Sequence, residues 1–364
     1  RFAALSKKRV GGSDRDTSCA DTLRSCGIKI YPRGTGALAG FDAVVYTDAV
    51  ASNDPELKLA RALKKPVIPR AKFLASVCTC FSRVVAVSGC HGKTTCTAML
   101  ASIFSAAGRR FSAHIGGYSL QFSNFCAFGN DWFITEACEY KKNFLSLRAD
   151  TAVVLSTDPD HLECYNSADD LYCCYRKFAA RAECAVVPQD RLSAEIDNAV
   201  TFGGGRGADF RATELECREG AYSFTLSAFG KERGDIGLKV LGKHNVFNAL
   251  AAAAAASAEG IDFSCIVPGL EEFEGVERRM QLLGSYGGAR CVADYAHHPA
   301  EISAALKTAS KITEGRLFVV FQPHTYSRTK NLFKQFVSVL SGVRHLLIYR
   351  TYAAREYFDE EGCA

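Results

Sequence analysis

The chain has 364 residues, 48% of them hydrophobic, and a net charge of +5 with the two signs interleaved. That length accommodates two or three domains with full cores, the charge pattern holds no basic run that would mark a nucleic-acid partner, and no apolar stretch reaches the roughly 18 residues of a membrane span. Sixteen cysteines are present without a single C-x-x-C pair, which argues against a zinc ribbon, and a chain this long does not fit a secreted disulfide framework; most are expected to be small buried hydrophobes in a reducing cytosol.

Residues 1–80 alternate short apolar strands with helical patterns. "GIKIY" and "FDAVVYT" read as strands. "NDPELKLARALKK" reads as a helix capped by Asn53 or Asp54 with Pro55 in its first turn, and "PVIP" starts the next strand. This is the βαβ rhythm of a parallel sheet. A second unit opens at "RVVAVSG", contains the strands "WFITEA" and "TAVVLST", and ends after an alanine-rich helix from about Asn245 to Glu259, closed by Gly260. A third follows Gly275 with "ARCVADYAHHP", the helix "AEISAALKTAS" and the strand "RLFVVFQPH". The expected division is 1–80, 81–270 and 271–364.

The stretch "VVAVSGCHGKTTCTAML", Val84 to Leu100, joins a valine-rich strand to a helix through a glycine turn. Backbone N–H groups of such a turn, with those of the first helical turn, converge on one anion. Lys93 adds a point charge for β- and γ-phosphates, and a threonine hydroxyl can ligate Mg²⁺. The loop is G-x-x-G-K-T-T, Gly89 to Thr95, shorter than the usual Walker loop, whose first glycine would fall at Val87. A nucleotide phosphate site is a better reading than a plain glycine turn with a solvated lysine.

Three more polar clusters stand at strand or helix ends. Glu136 and Glu139 follow "WFIT", placed to hold Mg²⁺ beside a phosphate loop. Asp158, Asp160 and His161 follow the strand "TAVVLST"; taken alone, His161 could ligate a metal, orient a carboxylate or cap a helix. His244, Asn245 and Asn248 open the alanine helix, where two amides three residues apart share a face and suit a purine edge, although Asn245 could equally be a helix cap.

Taken in order, these clusters resemble the Mur ligase family of ATP-dependent amide-forming enzymes. The motifs are "GCHGKTT", "EACE", "DPDHLECY", "GKHNVFNALAA", "FEGVERRMQ", "ADYAHHPAEI" and "FQPHTYSRT". The resemblance runs from about Gly11 to the last residues. Within the family, the double histidine before proline and the F-Q-P-H-x-Y-x-R-T string point to the alanine-adding member. The resemblance implies a three-domain α/β architecture, with a Rossmann-like N-terminal domain for a UDP-sugar, a P-loop central ATPase domain and a Rossmann-like C-terminal domain. The expected partners are UDP-N-acetylmuramate, L-alanine, ATP and Mg²⁺, with an acyl-phosphate intermediate, in the cytoplasm.

It also implies roles. Gly89, Cys90, His91, Gly92, Lys93, Thr94 and Thr95 would bind ATP phosphates. Thr94, Glu136 and His161 would bind metal, with Glu136 preferred to Glu139. His244, Asn245 and Asn248 would meet the adenine end, while Arg279 and Asp294 would reach phosphate and ribose. Lys93, Glu136, His161 and Arg279 form the catalytic set; Ser13, Asp14, His297, His298, His324 and Arg328 would meet the other substrates. The sequence departs from the pattern at Cys90, where threonine is usual, and at Cys138, where aspartate is usual. "YNSADDLYCCYRKF" offers no clear counterpart to the carbamylated lysine of several sister ligases, and the family's first strand and the far end of its third domain are expected to extend beyond this stretch, which starts at Arg1. A ligase that attaches a whole tripeptide to the same sugar nucleotide, or a P-loop kinase or ATPase of another class, are the alternatives; the second would not need "HHP" or "FQPH".

Overall fold

The computed structural model describes residues 1–14, 20–34, 36–159, 164–197, 199–354 and 356–363. Asp160 and His161 therefore lie outside the described residues. By its contacts the chain forms two compact units: Arg1–Ser82 with Ser146–Arg148, and Arg83–Leu145 with Ala149–Ala364.

The first unit runs α1 (Phe2–Leu5), β1 (Gly11–Gly12), α2 (Ala20–Ser25), β2 (Lys29–Ile30), β3 (Val44–Tyr46), α3 (Pro55–Ala62), β4 (Val67–Pro69) and α4 (Arg70–Cys78). The strands pair in parallel, β1 with β2 and β3 with β4. The predicted helix after "ND" starts at Pro55, and the Asp54 carboxylate accepts from the Glu56 N–H at 2.9 Å, so Asp54 and not Asn53 is the cap.

The second unit begins with β5 (Arg83–Ser88), α5 (Lys93–Ala106), β6 (Phe111–Ser119), β7 (Ser123–Ala127), β8 (Trp132–Glu136) and β9 (Thr151–Val154). It continues through α6 (Ala168–Ala179), β10 (Cys184–Pro188), β11 (Val200–Gly203), β12 (Phe210–Arg218), β13 (Ala221–Ala228), β14 (Lys231–Leu241), α7 (His244–Ala258) and α8 (Phe263–Glu271). Ten strands form one sheet in the order β14-β13-β12-β11-β10-β9-β5-β8-β6-β7. β5 lies between β9 and β8, parallel to both, with Val87 opposite Glu136. Its residues Val84 to Val87 are fully buried, as expected where helices cover both faces of a parallel sheet. The alanine helix matches its expected place within one residue at each end, and Ala249 to Ala256 are buried where α7 packs on α5 and on strands β9 to β12.

The remainder is β15 (Gln281–Tyr286), β16 (Ala289–Ala293), α9 (Pro299–Ile312), β17 (Phe318–Phe321), α10 (Tyr326–Asn331), α11 (Phe333–Leu340) and β18 (His345–Ile348). β17 and β18 pair in parallel over a small core of Ile302, Phe321, Phe336 and Leu340. The cysteine expectation needs correction. Cys78, Cys90, Cys96 and Cys174 are buried, but Cys26, Cys80, Cys217 and Cys363 are exposed and seven others are only partly covered. Several lie on outward positions of sheet edges and loops, which a count of cysteines does not reveal.

One buried carboxylate ties the sheet to α7. Glu259, at the C-terminus of that helix, is fully covered and accepts from Arg83 Nε at 2.5 Å, Trp132 Nε1 at 2.9 Å and Thr151 Oγ1 at 2.6 Å. An acid at a helix C-terminus opposes the dipole, so these donors must offset both that and desolvation. Glu259→Ala leaves the Trp132 and Thr151 donors without this acceptor and Arg83 with Glu183 alone, and should lower stability by about 1–3 kcal/mol in denaturant unfolding; a loss below about 1 kcal/mol, the range of an exposed pair, would show the network to be weak.

Candidate active site

The turn predicted to hold phosphate stands at the carboxyl end of β5 and leads directly into α5, whose first residue is Lys93. Gly92 has φ +80°, and a Cβ there would fall onto the Asn248 Oδ1, so both the backbone angle and the neighbour demand glycine. No side chain caps α5 among the described residues, which leaves its first N–H groups turned toward the loop. Lys93 Nζ donates to the Gly89 carbonyl at 2.6 Å, the Cys90 carbonyl at 3.2 Å and Glu139 Oε1 at 3.0 Å. Burial pulls the Lys93 ammonium down, but Glu139, Cys138 and Glu136 together outweigh it and hold the group above the ordinary lysine value. It is a fixed positive charge at neutral pH.

The two acids of "EACE" separate by role. Glu139 is fully buried against Lys93. Glu136 faces Thr94, whose hydroxyl bonds its carboxylate, and accepts the Gly116 N–H at 2.5 Å. A Cβ on Gly116 would overlap both Glu136 oxygens, so the glycine in β6 makes the cradle for that carboxylate. Burial raises the Glu136 carboxyl above its usual value, while the Gly116 N–H, Lys93, Thr94 and Arg279 pull it down without cancelling the shift. One carboxylate and one hydroxyl beside a phosphate loop fit Mg²⁺, which takes few protein oxygens and keeps several waters. No group of three or more His, Cys, Asp or Glu side chains able to hold a metal occurs among the described residues, so a closed protein cage is not what they offer.

The amides expected at a purine are buried at the start of α7. Asn245 Nδ2 donates to the Leu241 carbonyl at 2.8 Å, and Asn248 Nδ2 to Asn245 Oδ1 at 2.9 Å. Asn245 thus serves the β14–α7 turn and Asn248 presses on the phosphate loop. Desolvation by its surroundings, then the charge of Arg279, holds the His244 imidazole below the usual value.

A second group of side chains meets the loop from residues 278–301. Glu301 Oε1 lies 3.2 Å from His91 Nδ1 and 3.8 Å from Arg279 Nη1, and the His91 ring meets that of His298 at a tilt, 5.2 Å between centroids. Glu301 Oε2 accepts the His297 N–H at 3.1 Å. Asp294 accepts the Met280 and Ala296 N–H groups at 2.8 and 2.7 Å, and its carboxyl is raised chiefly by burial. Tyr295, His297, His324 and Tyr352 form a run of ring contacts between 5.0 and 6.2 Å, and Arg328 Nη1 reaches His324 Nδ1 at 3.3 Å. These rings and Asp294 line a cavity of about 1340 Å³. Ser13 and Asp14 belong to the other unit, both exposed, with Ser13 Oγ donating to Glu56 Oε2 at 2.7 Å. Sequence reasoning missed Gly116, Tyr295, Tyr352 and Glu301. Only Glu301 had a signal: it stands three residues after His298, the spacing of a capping box.

Three family models match the chain: "Mur ligase family, catalytic domain" over residues 1–81, "Mur ligase middle domain" over 87–256, and "Mur ligase, glutamate ligase domain" over 278–361. A UDP-N-acetylmuramate–L-alanine ligase of Clostridium acetobutylicum is 37% identical over 362 residues, 96% of this chain and 79% of that protein. The enzyme of the same name from Clostridium beijerinckii is 34% identical over 365 residues, 95% of this chain and 78% of the relative. Among solved structures, the UDP-N-acetylmuramate–alanine ligase of Thermotoga maritima superposes with a TM-score of 0.84 at 28% identity, covering 97% of this chain and 82% of its own.

Proposed function

The chain belongs to the Mur ligase family, and from that premise we propose that it joins L-alanine to the lactyl carboxylate of UDP-N-acetylmuramate at the expense of ATP, in peptidoglycan precursor synthesis. The observation that carries this reading is the 34–37% identity to ligases of that name across at least 95% of the chain. A cytoplasmic site of action is part of the proposal; no described helix is long and apolar enough to cross a membrane. The domain limits in this reading are 1–80, 81–270 and 271–364.

In this reaction a lactyl carboxylate oxygen attacks the γ-phosphorus of ATP and ADP leaves. The alanine amine then adds to the acyl carbon, and the tetrahedral intermediate collapses with loss of phosphate while the nitrogen gives up a proton. Neither step needs a covalent protein intermediate; both need negative charge neutralised in a fixed place. Lys93, already charged and held at the loop, meets the β- and γ-phosphates with the N–H groups of α5. Thr94 and Glu136 would hold Mg²⁺, which when bound neutralises charge on the same phosphates. The metal role of His161 rests on the family resemblance alone. Arg279, close enough to act on both Glu136 and Glu301, is proposed to follow charge on the transferring group. The ring cluster of Tyr295, His297 and His324 with His298 and Arg328 is the proposed amine side; Ser13 and Asp14 are proposed for the sugar nucleotide, and His244, Asn245, Asn248 and Asp294 for the nucleoside of ATP.

Phosphate release measured with UDP-N-acetylmuramate and separate amino acids tests this reading. Release should require the sugar nucleotide and be fastest with L-alanine. Equal release without the sugar, or dependence on a tripeptide in place of alanine, would refute it.

A further inference from the structure

We propose that Glu301 is a positioning residue for the ligation just described: its carboxylate ties the phosphate loop, through His91, to Arg279 and to the double-histidine turn. The proposal rests on the ligase reading for its kinetic part only.

Glu301 is the third residue of α9, where a glutamate commonly caps the helix. Capping occupies one oxygen: Oε2 accepts the His297 N–H at 3.1 Å and the His298 N–H at 3.4 Å. The other oxygen points elsewhere. Oε1 meets the His91 ring at 3.2 Å and lies 3.8 Å from the Arg279 guanidinium. His91 is inside the phosphate loop, and Arg279 is far from it in sequence, so one carboxylate closes a contact between segments about 190 residues apart. His297 Nδ1, 3.4 Å from Oε2, completes the ring of partners.

The side chain is 13% exposed, and a carboxylate so covered persists only when paired. Burial by itself would raise it, but the His91 hydrogen bond and the charges of His297, His91 and Arg279 hold it well below the usual carboxylate range. Glu301 is therefore an anion beside a site for polyphosphate. Its charge repels ATP, so it is not a nucleotide-binding group. What it can do is fix the direction of two cationic or donor groups. Arg279 has five N–H donors in a planar fork; anchoring one edge on Glu301 aims the remainder toward the loop. A fault in such alignment appears in the rate of the chemical step, where a shift of about 1 Å costs on the order of a hundredfold.

Glu301→Gln keeps an oxygen for the backbone cap and removes the charge. Its kcat for alanine-dependent phosphate release should fall roughly tenfold to a hundredfold, with the dissociation constant for Mg·ADP, by calorimetry, changed less than about threefold. In protein labelled with nitrogen-15 at histidine, the His91 ring signal, assigned through His91→Gln, should move in Glu301→Gln and stay in place in Lys307→Ala. A kcat within about twofold of the parent overturns the proposal, as does a fall in kcat matched by an equal loss of ADP affinity or by loss of the folded state. An unmoved His91 signal overturns the tie whatever the substrate. Failure of the parent protein to use alanine refutes the ligase reading instead, and the tie is then decided by the His91 signal.

Discussion

Lys93→Ala should cut alanine-dependent phosphate release by roughly a thousandfold, the loss expected when a preorganised positive group is taken from a charge-developing transition state. The structure adds a second expected result. Lys93 is a cation facing Glu139, whose side chain is fully buried, and removal of one partner from a buried pair destabilises by about 3–5 kcal/mol. Lys93→Ala alone is thus expected to be both inactive and less stable. Adding Glu139→Gln to it removes the buried acidic charge and should restore most of the melting temperature without restoring turnover. Recovery of activity in the double variant would show that Lys93 serves the fold and not phosphate.

Glu136→Gln should do the opposite to stability. The folded-state carboxyl is raised above its usual value of 4.5, chiefly by burial. A raised carboxyl favours folding only while protonated, so its contribution is present below the unfolded value and is lost as pH rises through the folded one. Without Mg²⁺, ionising this buried group therefore opposes folding. Glutamine removes that charge at nearly constant shape, and the melting temperature should rise by up to a few degrees. Turnover should fall more than about a hundredfold, and Mg²⁺ should no longer protect the protein against heat. A variant that is less stable yet still stimulated by Mg²⁺ would contradict the assignment of Glu136 to the metal.

The strands that build the site were legible because each is short, apolar and followed by a turn residue with a backbone reason. β5, β8 and β9 were found this way, and the glycine turn and Lys93 fell where the motif placed them. The alanine helix was equally plain, since eight consecutive small residues suit close packing and little else. The β12–β14 meander was not seen. β12 carries Glu214, Glu216 and Arg218 on a mostly open surface, and its register slips between Thr213 and Glu216, so the alternation that marks a strand is interrupted. Asn245 and Asn248 were found as a pair, but their burial was invisible: it depends on Leu241 and Gly92, which are close only after folding. Gly116 was missed for the same reason, because its neighbour Glu136 is on another strand. Glu301 shows the limit most clearly. Its capping role is local and readable, whereas its contact with His91 is made by tertiary structure alone.

In the proposed reaction the lactyl carboxylate is activated as an acyl phosphate and captured by alanine. Oxygen-18 placed in that carboxylate of UDP-N-acetylmuramate tests it directly, because the oxygen that attacks phosphorus must leave with the phosphate. Mass spectrometry of the products should find one labelled oxygen in the inorganic phosphate for each alanine joined, and release of labelled phosphate should stop when alanine is withheld. Unlabelled phosphate formed at the same rate, with or without alanine, would mean that water attacks ATP, and the protein would then be a nucleotide hydrolase in a ligase fold.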